Sequence, residues 1–580
     1  MPIAFITSSS RARARIFCCF VALVAALFFA HAAAAAPAQQ AYLKSSNPAT
    51  DDNFGWTVAV SGDTMVIGAV WEDSKATGVN GNQSDNSFSA SGAAYVFVRT
   101  GTNWTQQAYL KASNTGINDN FGQSVGISGD TIVVGAVFES SGSPGVNGNQ
   151  SDNSALQSGA AYVFVRTTNL MGAVTWSQQA YLKSSSPVEL VNFGQSVAIA
   201  GDTVVVGAIG EASSSTGVNG NPFDGGAPGS GAAYVFVRTG TNWTQQAYLK
   251  ASNTGAYDSF GQAVGISGDT VVVGAHQEYS NAQGVNGNQN DNSAFGAGAA
   301  YVFIRTNGSW SQQAYLKASN TGANDFFGGA LAISKDTILV GAFGESSDAT
   351  GVNGPGNNNN SFFSGAAYLF ARTNGSWSQQ AYLKASNTDG NDRFGWSVAL
   401  SDNVAIVGAV NESSIATGLN GNQSDNNAVQ SGAAYLFRRH GTNWTQHDYL
   451  KASNTDAYDV FGWSMAASGD TAVIGAYVEA SNSPGVNGNQ ANNSTSCAGA
   501  AYVFTDLNPI PRVRLVLDGG GGCFIRFNGE PGADYRVERA TSVMGPWTHL
   551  STLTAPASGL LEYHDVSPPP GQAFYRTSQP

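Results

Sequence analysis

Two acidic side chains recur at fixed places along the chain, and their regular spacing points to one shared role. A Glu stands three residues after each of seven Gly-Ala pairs, and an Asp stands two residues before six of seven Phe-Gly pairs. The Glu residues are Glu72, Glu139, Glu211, Glu278, Glu345, Glu412 and Glu479; the Asp residues are Asp52, Asp119, Asp258, Asp325, Asp392 and Asp459, with Val191 at the remaining position. Carboxylates repeated in this way could line a ligand-binding face.

Calcium is the cofactor that these carboxylates would suit, because it prefers about six to eight oxygen ligands. A polar loop such as GVNGNQSDNS (78–87) follows each Glu, and its Asp adds another oxygen donor. The candidate metal ligands are Glu72 with Asp85, Glu139 with Asp152, Glu278 with Asp291, and Glu412 with Asp425. The alternative is that these carboxylates only cap turns by accepting backbone N–H bonds, and then no cofactor is required.

Catalytic chemistry receives little support from the sequence. The histidines after the N-terminal segment are scattered and fall mostly outside the repeated positions: His276, His440, His447, His549 and His564. A hydrolase needs two carboxyl groups in different environments, whereas six near-identical Asp and Glu pairs offer no such contrast. We therefore expect no catalytic residues and a non-enzymatic protein. The alternative is a carbohydrate-binding, carbohydrate-active or hydrolytic protein that uses the same face.

The residues that position these side chains form seven copies of one unit. The Phe-Gly pairs begin at Phe54, Phe121, Phe193, Phe260, Phe327, Phe394 and Phe461, a period of 67 residues with one interval of 72. Each copy holds four strand-like runs, such as FGQSVGIS, TIVVGA, SGAAYVFVR and WTQQAYLKA. The middle runs are almost wholly apolar, as in strands buried on both faces. The last run alternates and carries Gln and Lys, as in an outer strand facing water. The pattern predicts an all-β, seven-bladed β-propeller.

The seventh copy lacks its fourth run, and the N-terminus holds a spare one. Complete fourth runs begin at six Trp residues, from Trp104 to Trp444, while the seventh copy stops after AAYVF at Phe504. The run QQAYLK at 39–44 precedes the first Phe-Gly pair. We predict that this strand completes the last blade and closes the ring, because an open edge would promote aggregation.

The repeat unit resembles the FG-GAP repeat of the integrin α-subunit N-terminal propeller. The resemblance lies in a Phe-Gly pair that is followed by Val-Gly-Ala, as in Val134 to Ala136 and Val273 to Ala275. The similarity is greatest to the bacterial extracellular type, in which Ser-Gly-Asp-Thr joins the first two strands. It covers about residues 39–506 and implies a secreted or cell-surface protein of cell adhesion or ligand binding. The family's DxDxDG calcium loop is replaced here by a Gly-Asp turn such as Gly62-Asp63, so that metal site does not transfer.

Residues 1–38 are predicted to be a signal peptide, because Arg11, Arg13 and Arg15 precede an apolar run and then small residues. An uncleaved membrane anchor is the alternative. No later run is long enough to span a membrane.

The formal charge is −13, and removing residues 1–38 makes it more negative still. Acidic surfaces repel phosphate, so we expect no nucleic-acid partner and instead an extracellular protein or glycan ligand.

The repeat ends near Asp506, where a predicted linker (507–512) leads to a different segment. Six short strand-like runs within 513–580 predict a small β-sandwich, and the segment resembles immunoglobulin- or fibronectin-like modules. Cys497 and Cys523 are the cysteines outside the signal peptide, and the sequence leaves open whether they pair. The predicted domains are therefore the signal peptide (1–38), the propeller (39–506), the linker and the sandwich. A purely structural extracellular repeat protein remains a further alternative.

Overall fold

The computed structural model describes residues 4–5, 37–169, 172–507, 514–517, 522–529, 532–542, 545–556, 560–569 and 573–578. Every regular element in these ranges is a β-strand, so none of them contains a helix long and apolar enough to cross a membrane. The predicted signal peptide and the linker 507–512 lie outside the described residues, apart from 4–5, 37–38 and Leu507. Two compact units are formed, one by Gln39–Thr505 and the other by Met1–Ala38 with Asp506–Pro580.

The larger unit consists of seven four-stranded antiparallel sheets, one for each repeat. Numbered by repeat, their strands are as follows: sheet 1, Phe54–Ser61, Thr64–Ala69, Ala93–Thr100 and Asn103–Leu110; sheet 2, Phe121–Ser128, Thr131–Ala136, Ala160–Thr168 and Val174–Leu182; sheet 3, Phe193–Ala200, Thr203–Ala208, Ala232–Thr239 and Asn242–Leu249; sheet 4, Phe260–Ser267, Thr270–Ala275, Ala299–Thr306 and Ser309–Leu316; sheet 5, Ala330–Ser334, Thr337–Ala342, Ala366–Thr373 and Ser376–Leu383; sheet 6, Phe394–Ser401, Val404–Ala409, Ala433–His440 and Asn443–Leu450; sheet 7, Ser464–Ser468, Thr471–Ala476, Ala500–Thr505 and Ala38–Leu43.

Burial explains the apolar runs of the middle strands. All six residues of every second strand are buried, because each sheet packs between two neighbouring sheets. The first strand of each sheet contacts the first strand of the next, and that of sheet 7 contacts that of sheet 1. The first strands are therefore the innermost elements of a ring of seven sheets.

The strand Ala38–Leu43 lies beside Ala500–Thr505 in sheet 7, far from its neighbours in sequence. The Lys44 N–H donates to the Gly485 carbonyl (2.8 Å), and the Asn487 N–H donates to the Tyr42 carbonyl (2.8 Å). In sheet 1 the fourth strand makes the same two bonds, through Lys111 and Tyr109. The N-terminal strand thus makes in sheet 7 the backbone contacts that a fourth strand makes elsewhere.

Each Phe-Gly pair joins its sheet to the preceding one. Phe121 is fully buried, and its ring lies edge-on to that of Tyr162, with centroids 5.4 Å apart. Its N–H donates to the carbonyl of Ser91 in the preceding repeat (3.0 Å). Gly122 has a φ of +95°, and a Cβ atom there would lie 2.4 Å from the carbonyl oxygen of Ala93. Both the backbone conformation and the close approach therefore require glycine.

The smaller unit contains two antiparallel sheets. One has the strand order Ala4–Phe5, Phe574–Ser578, Asp534–Ala540 and Thr548–Thr554, and the other has the order Arg514–Leu517, Cys523–Asn528 and Leu560–Asp565. Side chains from both sheets, including Ile525 and Val537, share one buried cluster. Cys523 belongs to that cluster, where its thiol donates to the Tyr575 hydroxyl (3.4 Å), and Cys497 belongs to the larger unit; the two form no disulfide.

The substitution Gly122→Ala should destabilise the ring strongly, because it adds a steric clash to an unfavourable positive φ. We expect a loss of about 2–5 kcal/mol in the free energy of unfolding. Gly129→Ala is the matched control, since Gly129 has a φ of +55° but no atom within 4 Å of a Cβ. It should cost about 1–2 kcal/mol. Urea denaturation followed by Trp fluorescence measures both, and equal losses would contradict the role given to Phe-Gly.

Candidate functional site

The repeated Glu side chains are buried, and each forms an ion pair with a buried Lys. In repeat 1, Glu72 follows the second strand and Lys111 follows the fourth, and the Lys111 Nζ lies 2.9 Å from the Glu72 Oε2. The equivalent pairs are Glu139 with Lys183 (2.8 Å), Glu211 with Lys250 (2.7 Å), Glu278 with Lys317 (2.9 Å), Glu345 with Lys384 (2.8 Å), Glu412 with Lys451 (2.9 Å) and Glu479 with Lys44 (2.9 Å). Their side chains are at most 2% exposed. The Lys of the fourth run, predicted to face water, is thus a core residue.

Further hydrogen bonds hold the ion pair and link adjacent repeats. The Lys111 ammonium also donates to the Ser91 hydroxyl (2.8 Å), and the Tyr109 hydroxyl donates to the Glu72 Oε1 (2.8 Å). The amide of Asn47, from the segment that enters repeat 1, donates to the same Glu72 oxygen (3.3 Å). Burial lowers the pKa of Lys111, and the Glu72 carboxylate opposes that shift. The pair therefore ties the ends of two strands to the connection from the neighbouring repeat.

Repeat 3 departs from this network at one position. The Asn that reaches the Glu in other repeats, such as Asn114 on Glu139 (3.0 Å), is replaced by Ser186 before repeat 3. The Tyr162 hydroxyl donates to Asn114 (2.6 Å), whereas its equivalent in repeat 3, the buried Tyr234 hydroxyl, has no hydrogen-bond partner among the described residues. The Lys250 and Glu211 pair is nevertheless kept. The Lys and Glu pair is therefore kept in repeat 3, although the hydrogen bonds around it differ from those of other repeats.

The repeated Asp side chains are buried caps of the turn that leads into each first strand. The N–H of Gly116 donates to the Asp119 carboxylate (2.7 Å), and Ala49, Gly255, Gly322, Asp389 and Asp456 donate to the other five at 2.7–3.2 Å. Burial raises the pKa of these carboxyls, and the nearby Glu adds to the effect. The pKa rises to about 8 for Asp52, Asp392 and Asp459, and to about 7 for Asp119, Asp258 and Asp325.

The polar loop GVNGNQSDNS (78–87) makes most of its hydrogen bonds within itself and to the end of the fourth strand. Val79 pairs with Leu110 at the end of the fourth strand, and the Asn80 side chain accepts the Tyr109 N–H (2.9 Å). The Asp85 carboxylate accepts the Ser87 N–H (2.9 Å) and lies 3.1 Å from the Lys75 ammonium.

The structure does not gather these carboxylates around one point. Each Glu is paired with Lys, while Asp85 bonds within its loop. Nowhere in the described ranges do three or more His, Cys, Asp or Glu side chains form a group that could hold a metal ion. The calcium hypothesis for Glu72, Asp85, Glu139, Asp152, Glu278, Asp291, Glu412 and Asp425 therefore stays a prediction.

The Trp residues of the fourth strands join adjacent sheets at the outer rim. The Trp104 indole N–H donates to the Gln40 side chain of the N-terminal strand (2.8 Å), and the Arg99 guanidinium lies over the Trp104 ring, 5.3 Å from its centroid. Arg99 also pairs with the turn residue Asp63 (2.7 Å). Similar contacts recur at five further Trp residues: Trp176, Trp243, Trp310, Trp377 and Trp444. These six indoles are only 3–7% exposed, so they hold the rim together.

Exposed apolar side chains concentrate at one end of the ring. We call this the loop end, because the connections from second to third strands and from fourth to next first strands lie there. Thirteen large hydrophobic residues in the described part of Gln39–Thr505 are exposed, and all but Val174 lie at the loop end. They are Trp71, Ile117, Leu156, Val188, Leu190, Phe223, Tyr257, Phe295, Phe362, Ile415, Val429 and Tyr458. Exposed apolar surface gathered on one face is typical of a binding surface.

An aromatic cluster lies at the loop end of the innermost strands. The rings of Trp396, Trp463 and Trp56, each the residue after a Phe-Gly pair, contact in series with centroids 4.9 and 5.0 Å apart. Phe343 extends the series from Trp396 (5.0 Å) to Phe326 (5.0 Å, stacked), and Tyr477 contacts Trp463 (4.5 Å). We call these six residues the aromatic arc.

The regularly repeated residues did not predict this arc. The sequence feature that marks the arc is the residue after Phe-Gly, which is Trp, Gln, Gln, Gln, Gly, Trp and Trp in repeats 1 to 7. A comparison of the copies at their least constant positions, instead of their most constant ones, would have found it.

Comparison with known families accounts for most of the chain. The family described as FG-GAP repeat matches seven times, at residues 37–97, 104–164, 176–236, 243–303, 310–370, 377–437 and 444–504. No curated protein matches the chain significantly. The seven matches agree in number with the seven sheets.

Removing one Lys of an ion pair should be strongly destabilising, because it leaves a buried carboxylate without its counter-charge. We expect Lys111→Met to lower the free energy of unfolding by about 3–5 kcal/mol. Lys75→Met is the control: Lys75 pairs with Asp85 but is 59% exposed, so its loss should cost no more than about 1 kcal/mol. Urea denaturation of the full chain measures both. Similar small losses for the two variants would show that the buried pair is not needed.

The raised Asp pKa values predict that stability falls with rising pH. A carboxyl whose pKa is higher in the folded than in the unfolded chain stabilises fully at low pH, and this contribution is lost as the pH rises through the folded pKa. For Asp258 this stabilising contribution should be lost by about pH 7. Asp258→Asn should make the decline between about pH 5 and about pH 7 shallower, by up to about 1 kcal/mol per pH unit.

Asp269→Asn, in the exposed turn of the same repeat, serves as the control for this pH dependence. Asp269 pairs with Arg305 and its side chain is 64% exposed. The control should keep the parent's slope of unfolding free energy against pH. If Asp258→Asn also kept that slope, the Asp258 carboxyl would be ionised in the folded protein and the expected decline would have another origin.

Proposed function

We infer from the fold and site of this chain, which belongs to the FG-GAP repeat family, that it is a secreted or cell-surface β-propeller that binds an extracellular partner through its loop end. Seven four-stranded sheets, each in contact with the next around the ring, support the propeller. The family match supports an extracellular setting. The partner would be a protein or a glycan, and the protein's role would be adhesion or ligand recognition without catalysis.

The observation that carries this proposal is the distribution of exposed apolar side chains. Leu156 and Leu190 are 58% and 55% exposed, and they meet where repeats 2 and 3 join, since the Leu190 N–H donates to the Leu156 carbonyl (2.9 Å). Val429 and Tyr458 form an equivalent pair between repeats 6 and 7, joined by the Tyr458 N–H (2.8 Å). Exposed apolar side chains set side by side in this way are the kind of group through which a partner binds.

The environment of the carboxylates favours binding over hydrolysis. A general acid or nucleophile must reach its substrate, whereas Glu72 is 1% exposed and accepts bonds from Lys111 and Tyr109. Asp52 is 2% exposed and accepts the Ala49 N–H. The same arrangement recurs in six repeats, so these Asp and Glu side chains, where the structure describes them, offer no freed carboxyl pair of the kind a hydrolase needs.

Two further features belong to the same proposal. The N-terminal strand Ala38–Leu43 would close the propeller as the fourth strand of its last blade, supported by the Lys44 and Glu479 pair and by the Trp104 and Gln40 bond. The C-terminal segment would be an immunoglobulin- or fibronectin-like sandwich that acts as a spacer, supported by the buried cluster its two sheets share. Residues 1–38 would direct export and be removed.

The loop end should be required for binding to the surface of the cells that produce the protein. We expect labelled parent protein to bind these cells saturably. A variant with Leu156, Leu190, Val429 and Tyr458 all changed to Ser should bind at least about tenfold more weakly, because it loses two apolar contact areas. Flow cytometry over a range of protein concentrations measures the affinity.

Val174→Ser is the matched control, since Val174 is 41% exposed at the opposite end of the ring. This variant should bind like the parent. Absence of saturable binding by the parent would contradict an adhesive role. Equal binding by the fourfold Ser variant would place the contact surface away from the loop end.

A further inference from the structure

The residues after the Phe-Gly pairs divide the innermost strands into two chemically different halves. Trp396, Trp463 and Trp56 occupy repeats 6, 7 and 1, while Gln123, Gln195 and Gln262 occupy repeats 2, 3 and 4. We call the three Gln residues the amide arc. The position in repeat 5 is Gly329, where a Cβ would lie 3.0 Å from the Phe343 ring, so Phe343 fills the space and continues the aromatic arc. An otherwise sevenfold framework thus carries one asymmetric site.

Both arcs have groups that a ligand could contact. The three Trp side chains and the three Gln side chains are all partly exposed. The Gln side-chain amides have no hydrogen-bond partner within the described residues. Each amide can donate two hydrogen bonds and accept two. The aromatic arc offers ring faces and edges for apolar contact, and the amide arc offers directional polar contact.

The charged groups beside the aromatic arc do not favour a cationic ligand. The Arg393 guanidinium lies over the Trp396 ring, 5.5 Å from its centroid, and so covers part of that ring with a positive charge. His276, whose ring lies 6.1 Å from that of Phe326, is neutral near pH 7, because burial lowers its pKa to about 4. The nearest repeated carboxylates are buried and held by Lys or by a backbone N–H. A cationic ligand would therefore find no free opposite charge among these groups.

We propose that the aromatic arc and the amide arc together form a binding site for an uncharged carbohydrate at the loop end of the ring. This inference rests on the proposed binding function and names the ligand class of one part of that face. The C–H groups on one face of a pyranose ring would pack on the indoles, while hydroxyl groups would bond to the Gln amides. Sites for small ligands commonly combine an aromatic lining with a few polar groups in this way.

The two arcs favour a carbohydrate over an apolar peptide segment. An apolar peptide segment that covered both arcs would leave the Gln amides desolvated and unbonded, which is costly. A sugar has both kinds of surface on a single ring, so it can satisfy both arcs at once. A cationic ligand would be repelled by Arg393, which already lies on the aromatic arc.

The test is a glycan array probed with the full-length protein, followed by titration of the bound glycan while Trp fluorescence is recorded. We expect neutral oligosaccharides to bind and to change the fluorescence. Trp463→Ala should weaken binding by about tenfold or more. Because Trp463 packs against Trp56 and Tyr477, a second variant guards against misfolding: Gln195→Ala combined with Gln262→Ala changes only exposed amides and should also weaken binding. Val174→Ser, at the opposite end of the ring from both arcs, should bind like the parent.

Several results would overturn the carbohydrate proposal. These are an array on which no glycan binds, an array on which only charged glycans bind, or neutral-glycan binding that Trp463→Ala and the double Gln variant leave unchanged. Loss of cell binding by Trp463→Ala together with a silent array would assign the arc to a protein partner instead. The wider proposal has its own readout, because the fourfold Ser variant tests cell binding through residues outside both arcs.

Discussion

The ring depends on one buried interaction, the ion pair between a Glu after the second strand and a Lys after the fourth. Taking both charges out of water is costly, so the pair is favourable only when the two side chains meet closely and every remaining oxygen and N–H is bonded. In repeat 1 that requires Tyr109, Ser91 and Asn47 as well as Lys111. These residues lie at the ends of the second, third and fourth strands and in the connection that enters the repeat. The ion pair therefore joins the end of one sheet to the start of its neighbour.

The same interaction explains how the chain termini of the ring are arranged. Glu479 has no Lys within its own repeat, because the sequence of that repeat ends before a fourth strand. Lys44 supplies the missing charge at 2.9 Å. Without the N-terminal strand, Glu479 would be a buried charge with no counter-charge, which costs several kcal/mol. The N-terminal strand is therefore bound by electrostatics as well as by its backbone ladder.

The fold was largely predictable from the sequence, and the site was not. The 67-residue period and four apolar runs per repeat predicted the strands, and seven family matches confirm the repeats. The Glu residues were singled out by their regularity, but Lys111 follows an alternating strand and was assigned to the water-facing side. Its burial comes from the loops packed over the end of that strand, which no single-strand pattern contains. Trp463 was missed because it is constant in only three of seven repeats.

The buried Glu and Asp side chains make the stability of this framework depend on pH. Each Glu is paired with a buried Lys of the same chain at these seven positions. The Asp caps differ, because burial, only partly offset by the nearby Lys charges, raises their pKa to about 7 or 8. Raising the pH through these values therefore adds negative charge beside the buried ion pairs. It follows that the ends of the sheets, where the loops and both arcs are anchored, are held most firmly in mildly acidic conditions.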